Sequence, residues 1–464
     1  MDRRETAAIS DRAGWVLEAR ELLKLAVPLA ATQIAQMVIL STDTAMLGHF
    51  SKDALASAAL GNTVFFMAWL MGCGLPMAVS PVIAHIQGEN GDGPERDHRG
   101  VRAVVRMGLW SVALFLPFFA ALLYFTRDLL LLLGEDPRLA AGAGIYMSSL
   151  AWALPSALAF QVLRSFSTAL SRAVPPLIVM ALTVLVNALG DYALIFGHFG
   201  LPQMGLLGAG LSSAVSNFFS FVAMLAFCLL APKLRYYRIL HRLLQPHWKS
   251  LAELLRLGVP MGITMVFEVA FFNGATLVMG AFGTAAIAAH QIAISIPSLT
   301  FMVPLGIGLA ATVRVGMATG AGDPQGARRA GLTAIAMAMG FMCGTALLLL
   351  LYPRAIASLW LPNTPDNAPV LALAVTFLHV AAAFQLMDGV QVTAAMCLRG
   401  LKDARWPMWL AGASYWLAGA PMCLFLGFGL GLKGLGIWLG LAFGLLVAAI
   451  LLSTRFLLLS RRQL

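Results

Sequence analysis

The chain has 464 residues, of which 60% are hydrophobic and only 11% are charged, and its formal net charge is +10. A soluble domain is about 45–50% apolar and about 25% charged, so this composition excludes an ordinary soluble protein. The basic residues are distributed over many separate loops and form no single basic face, which argues against a nucleic-acid-binding protein.

Twelve long apolar segments predict membrane-spanning helices. About 20 apolar residues in a helix cross the hydrocarbon core, and a helix satisfies its own backbone hydrogen bonds where lipid offers none. In chain order the predicted helices are 22–47, 54–87, 99–125, 139–165, 173–196, 206–231, 251–281, 285–317, 327–352, 368–398, 405–429 and 433–459. The sequence therefore predicts an all-α integral membrane protein.

The first helix follows a short segment, residues 1–21, that mixes acidic and basic side chains and does not resemble a cleaved signal peptide. We expect this segment to be a cytosolic tail. Pro28 and Asp43 lie within the first helix, and a proline inside a helix favours a kink. A hinge at Pro28 that responds to the charge on Asp43 and a static packing kink are both consistent with the sequence. Unaltered transport after Pro28→Ala would rule out the hinge.

The fifth helix of the first lobe, which we assign to residues 22–232, carries two polar residues on one face. Asn187 and Asp191 are four positions apart, so their side chains are neighbours on the helix. If Asp43 faces them, these side chains offer hard oxygen ligands for Na⁺, or the two carboxyl groups can share a proton.

The second half of the chain repeats the first. Residues 22–29, "LLKLAVPL", match residues 254–261, "LLRLGVPM", at an offset of 232 positions. Each half has six helices, so the repeats are parallel, a plan in which transporters place the substrate path at the repeat interface. We assign residues 233–250 to a cytosolic linker and residues 251–464 to the second lobe with a short cytosolic tail.

The second lobe has its own pair of acidic residues within predicted helices, Glu268 and Asp388. The offset maps them onto Gln36 and Ser156, so the acids of the two halves are not equivalent. An acid at the membrane centre costs about 2.5–3.5 kcal/mol on insertion scales, and such residues mark ion or substrate pathways. We expect no Lys or Arg to lie deep enough in the membrane to neutralise the four acids.

The distribution of basic residues predicts the orientation in the membrane. With the N-terminus in the cytosol, 26 of the 31 Lys and Arg residues lie at the cytosolic side. Cytosolic loops are rich in these residues, so both termini are predicted to be cytosolic in a multi-pass protein of the bacterial inner (plasma) membrane.

Five segments resemble the multidrug and toxic compound extrusion (MATE) transporters, in particular their NorM-like bacterial branch. They are "QMVILSTDTAMLGHF" from residue 36, "VNALGDYALIFGHFGLPQMGLLGAG" from 186, "GVPMGITMVFEVAFF" from 258, "AAHQIAISIPSLTFMVPLGIGLAATVRVG" from 288 and "DGVQVTAAMCLRGLKDARWP" from 388. The resemblance implies a two-lobed, V-shaped bundle of two six-helix repeats with a central cleft that opens alternately to the two sides.

The resemblance also implies the site residues. The cation and substrate site of the first lobe would comprise Asp43, Asn187 and Asp191, and the cation site of the second lobe Glu268 and Asp388. All five are candidate ligands for Na⁺. Some NorM-like members have a tyrosine one turn before the second aspartate, where this chain has Phe384.

The predicted function is secondary active multidrug efflux. Small cationic or aromatic drug-like molecules would leave in exchange for inward Na⁺ or H⁺, the coupling ion, with no other cofactor. We expect a monomer that acts in the lipid bilayer, with no enzymatic activity. The alternative is a flippase or exporter of a lipid-linked or polar metabolite in the same wider superfamily, which would need cationic cavity residues. The sequence contains no convincing nucleophile–base pair, which argues against an enzyme. The two-lobe repeat argues against a channel.

Overall fold

The computed structural model describes residues 3–91, 98–362 and 364–462. This part of the chain is helical throughout its regular structure and contains no β-strand.

The helices of the first half are α1 (Arg3–Phe50), α2 (Lys52–Asn90), α3 (His98–Tyr124), α4 (Thr126–Leu132), α5 (Pro137–Leu150), α6 (Ala153–Ala169), α7 (Val174–Phe196) and α8 (Gly205–Leu230). A short 3₁₀ turn, Arg235–Tyr237, follows α8.

The helices of the second half are α9 (Trp248–Met279), α10 (Thr284–Thr300), α11 (Met302–Gly320), α12 (Pro324–Leu351), α13 (Pro353–Ala357), α14 (Ala368–Gly400), α15 (Arg405–Gly412), α16 (Ala420–Leu424) and α17 (Lys433–Arg462). Two π-helical segments, Ala413–Gly419 and Phe425–Gly429, continue α15 and α16.

The predicted number of membrane-spanning helices is confirmed. Eleven helical stretches of the described chain are long and apolar enough to span a membrane, and the bent pair α5–α6 makes twelve. The pair bends by 48° between Leu150 and Ala153. Pro155 lies in the first turn of α6, and its ring would clash with the carbonyl four residues earlier in a continuous helix. The bend therefore divides the segment predicted as one helix, 139–165.

α1 begins at Arg3, within the segment predicted as a tail. The reason is that many residues of this segment, such as Ala, Arg, Glu and Leu, are good helix formers. The helix therefore starts before the apolar run that crosses the membrane.

The chain divides into two compact units. One comprises Ala31–Gly262, and the other comprises Met1–Ala30 together with Ile263–Leu464. The lobes assigned from sequence, 22–232 and 251–464, follow chain order, whereas the units divide α1 after Ala30 and α9 after Gly262. These boundaries are 232 positions apart, like the sequence repeat, and each comes two residues after a proline inside its helix, Pro28 or Pro260.

Glycines allow the first part of each divided helix to pack closely within its unit. A Cβ atom on Gly306 of α11 would lie 2.5 Å from the backbone nitrogen of Ala30 in α1. In the other unit, a Cβ atom on Gly74 of α2 would lie 2.6 Å from the backbone nitrogen of Gly262 in α9. The two contacts are related by the 232-residue offset. Small residues at such positions let membrane helices approach each other closely.

Candidate cation-binding site

The unit Ala31–Gly262 encloses the three residues predicted for the first site. Asp43 of α1 is 5% exposed, and Asn187 and Asp191 of α7 are 0% exposed. Asp43 interacts with the side chains of both α7 residues. Ser213 of α8 adds a hydrogen bond, since its Oγ donates to Oδ2 of Asp43 over 2.9 Å. The structure therefore brings the three predicted residues together and adds a hydroxyl from a third helix.

The position of α8 against α7 depends on small residues. The Oγ of Ser212 donates to the backbone carbonyl of Asn187 over 3.2 Å. A Cβ atom on Gly190 would lie 2.5 Å from that Oγ atom, so only a glycine fits there without displacement. This close approach brings Ser213 within reach of Asp43.

Most oxygens of this cluster lack a hydrogen-bond donor. Among the described residues, Oδ1 of Asp43, Oδ1 and Nδ2 of Asn187 and both carboxylate oxygens of Asp191 are fully enclosed and have no hydrogen-bond partner. Two neighbouring buried carboxylates with a single hydroxyl donor between them are strongly unfavourable unless a cation or a proton balances them. Carboxylate and amide oxygens are ligands suited to hard cations. The donor set therefore fits Na⁺, and a proton bound to one carboxylate would also relieve the repulsion.

Tyr146 of α5 lies beside this cluster. Its side chain is 1% exposed, its hydroxyl donates to Oδ1 of Asn62 over 3.2 Å, and it lies close enough for the charges of both aspartates to act on it. Sequence reasoning missed Tyr146 and Ser213. The only signal for Ser213 was the run of serines on α8, where Ser212, Ser213, Ser216 and Ser220 are all buried.

The other unit brings together the two residues predicted for the second site. Nε2 of Gln391 donates to Oε1 of Glu268 over 2.8 Å and to Oδ1 of Asp388 over 3.2 Å. The hydroxyl of Tyr415 in turn donates to Oε1 of Gln391 over 3.0 Å. One amide thus bridges both carboxylates, and the tyrosine fixes which end of the amide faces them.

Phe384 lies among aromatic rings. Its ring centroid is 5.8 Å from that of Phe272 and 5.6 Å from that of Trp438. The hydroxyl absent at this position is supplied to the second site by Tyr415, which lies in the π-helical segment Ala413–Gly419. Sequence reasoning missed Gln391 and Tyr415, although Gln391 is one turn beyond Asp388 on the same helix.

Two buried arginines in these helices were not expected from the sequence, and one of them affects the second site. Arg399 is 7% exposed, and its charge acts on Glu268. In the first half, Arg164 is also buried, at 5% exposure. The predicted helices end at residues 165 and 398, so Arg164 lies near the end of one and Arg399 lies just beyond the end of the other. The helices instead continue to Ala169 and Gly400, and both arginines lie within them.

Comparisons with known proteins identify the family of the chain. The MatE family model matches residues 28–193 and again residues 260–425, two matches that start and end 232 positions apart. The "Probable multidrug resistance protein NorM" of Brucella suis biovar 1 (strain 1330) is 42% identical over 449 residues, which cover 97% of this chain and 94% of the relative.

Two solved structures share the fold. A MATE protein in its straight conformation has a TM-score of 0.86 at 18% identity, over 96% of this chain and 97% of the other. A MOP superfamily transporter from Pyrococcus furiosus, described as having a binding pocket of reverse polarity, has a TM-score of 0.83 at 18% identity, over 96% of both chains. At these identities the structures show the fold alone. The duplicated family match covers more than half of the sequence, and the chain therefore belongs to the MatE family.

Proposed function

We propose that the protein exports organic cations from the cell in exchange for inward-moving Na⁺ or H⁺. The named relative is a probable multidrug resistance protein, and it covers nearly the whole chain. The fold also occurs in a transporter with a binding pocket of reverse polarity, so the fold does not decide the charge of the cargo. The charge of the transported molecule therefore has to be inferred from the side chains at the sites of this protein.

The observation that best supports the proposal is the set of unpartnered oxygens around Asp43 and Asp191. Because these enclosed oxygens belong to two neighbouring carboxylates and have few donors among the described residues, a positive charge, from a cation or a proton, would stabilise the site. An inward-moving cation or proton can supply this charge in one part of a cycle, and a cationic substrate can compete for it in another. Exchange requires such competition, since a protein that bound both independently would leak.

The energetics of exchange depend on the stoichiometry. One elementary charge crossing 100 mV is worth about 2.3 kcal/mol. A monovalent drug exchanged for one monovalent ion moves no net charge, so the ion's concentration ratio drives it, with about 1.4 kcal/mol for each tenfold ratio. Two ions for each drug molecule would add the membrane potential as a driving force.

A drug-resistance assay tests the role of the first site. Asp43→Asn removes the negative charge but keeps the size of the side chain, so we expect resistance to cationic drugs to fall to that of cells without the protein. The assay should use cells deficient in other exporters, and membrane abundance should be measured alongside. The exposed Asp128 provides the matched control, Asp128→Asn, which should retain resistance. Wild-type resistance in Asp43→Asn would refute the site.

The second site is tested by its own neutral variants. Glu268→Gln and Asp388→Asn should weaken efflux or change its dependence on Na⁺ and pH, because Gln391 and Arg399 would lose charged partners. Initial efflux rates across a series of Na⁺ concentrations and pH values measure this effect. Unchanged rates and ion dependence in both variants would show that these residues serve packing alone.

A further inference from the structure

A third polar cluster lies in the unit Ala31–Gly262, outside the acidic site. Nη1 of Arg164 on α6 donates to Oε1 of Gln33 over 2.7 Å and to Oε1 of Gln36 over 3.4 Å, both on α1. In the part of the chain that the structure describes, no carboxylate lies within hydrogen-bonding or ion-pairing distance of Arg164. A buried guanidinium held only by neutral amides lacks a counter-ion, and such burial is unfavourable.

The sequence repeat shows why the counter-ion is absent. In the second half, the buried arginine of the corresponding helix, Arg399, acts on Glu268. The position equivalent to Glu268 in the first half is Gln36, which carries no charge. The first half thus also has a buried arginine on this helix, about one turn from the position equivalent to Arg399, but it has an amide in place of the acid, and no anion among the described residues pairs with Arg164.

Arg164 is buried, but the two glutamines that hold it are less enclosed. Gln33 and Gln36 are partly exposed, so the cluster lies at the margin of the packed core. None of the Arg164 nitrogens is among the fully enclosed, unpartnered polar atoms of the described residues. Nη1 makes both of the hydrogen bonds that the Arg164 side chain forms with the described residues, so Nε and Nη2 remain available to a carboxylate, which can accept both of their protons in a bidentate pair.

The cluster and the acidic site share one face of α1. Gln36 and Asp43 are seven positions apart, which is two helical turns and about 10 Å along the axis. A positive and a negative site at this separation, both buried within one unit, match a molecule that carries an amine at one end and a carboxylate at the other.

We propose that Arg164, positioned by Gln33 and Gln36, binds the anionic group of zwitterionic substrates whose cationic group reaches the acidic site. This inference rests on the proposed export of organic cations and specifies which of them the first half accepts. A substrate with both charges would satisfy the arginine and the aspartates together, whereas a simple cation would engage the aspartates alone.

Efflux of two matched dyes tests the proposal. Rhodamine 110 has a free carboxylate and rhodamine 123 is its methyl ester, so the pair differs in the anionic group alone. Efflux would be measured from proteoliposomes with imposed Na⁺ or pH gradients. For Arg164→Gln, we expect rhodamine 110 efflux at low dye concentration to fall by about tenfold or more, the loss expected for hydrogen bonds to a charged group. Rhodamine 123 efflux should stay close to that of the wild type, which also shows that the variant is folded.

Two further variants serve as controls. Arg164→Lys keeps the charge and should retain part of the preference for rhodamine 110. Arg172→Gln removes an exposed positive charge beyond the end of the same helix and should leave both dyes unaffected.

Several outcomes would overturn the inference. An equal loss of both dyes in Arg164→Gln would give the arginine a structural or general electrostatic role. Unchanged efflux of both dyes would show that it contacts neither. If the wild type exported rhodamine 123 but not rhodamine 110, the inference would fail while export of organic cations stood. If the wild type exported neither dye, the proposed function itself would fail.

Discussion

The two acidic pairs differ in the donors that reach them. In the first site Ser213 donates to one oxygen of Asp43, and the remaining oxygens of the two aspartates have no donor among the described residues. In the second site Gln391 donates to both carboxylates. A cation entering the first site finds free ligands, whereas a cation between Glu268 and Asp388 would have to displace the amide. We therefore expect the first site to bind the proposed coupling ion more readily than the second.

Removal of the Tyr415 hydroxyl tests the bridge in the second site. Tyr415→Phe leaves Oε1 of Gln391 without its donor, so we expect a loss of stability of about 1 kcal/mol and a weaker hold on the amide. The change should appear in thermal unfolding of the purified protein and as altered pH dependence of efflux. Tyr192→Phe, at an exposed position on α7, is the control. A pH profile and an unfolding temperature equal to those of the wild type would show that the bridge has no role.

The sequence identified the four acidic residues of the two sites and one asparagine near an aspartate. Asp43, Asp191, Glu268 and Asp388 stand out because a carboxylate inside an apolar helix is costly, and Asn187 follows from its spacing to Asp191. Ser213, Gln391 and Tyr415 carry no charge and give no such signal. Their roles depend on which helices pack together, and a single sequence does not specify that.

Among the helices, α1 and α9 differ most from the sequence-based description. Their apolar runs were found, but each belongs to two compact units, with boundaries after Ala30 and Gly262. Pro28 and Pro260 marked these positions as places of altered backbone bonding. Hydropathy indicates that a helix is buried but does not indicate which other helices pack against it. The sequence therefore could not predict that the two parts of α1, and the two parts of α9, pack in different units. A hinge at Pro28 stays a prediction.

A substitution in α11 tests the close contact with the start of α1. Gly306→Ala would place a methyl group 2.5 Å from the backbone nitrogen of Ala30, so one helix must move. Overpacking of this kind costs about 1–3 kcal/mol, and we expect lower thermal stability and slower efflux. Gly340→Ala on α12 is the matched control, because its Cβ atom would meet nothing within 4 Å. Equal behaviour of the two variants would contradict the packing requirement.

At the scale of the whole molecule, the two halves share a framework and differ in their polar residues. The offset of 232 positions relates the sequence motifs, the family matches, the unit boundaries and the glycine contacts. The polar centres do not follow this symmetry, since Gln36 stands where Glu268 would be expected. The framework was predictable because the lengths of the apolar segments and the sequence repeat report it directly. The distinct chemistry of each half became clear only when the structure showed which side chains surround Arg164 and Arg399.

The most direct test of the account is ion-driven efflux of a fluorescent organic cation, such as ethidium, from proteoliposomes that contain the purified protein. A Na⁺ gradient and a pH gradient would be imposed separately, each with the membrane potential held at zero. The account predicts that at least one gradient drives ethidium out against its own concentration gradient in the wild type and that Asp43→Asn abolishes this movement. Ethidium movement that depends on neither gradient, or that persists unchanged in Asp43→Asn, would contradict the account.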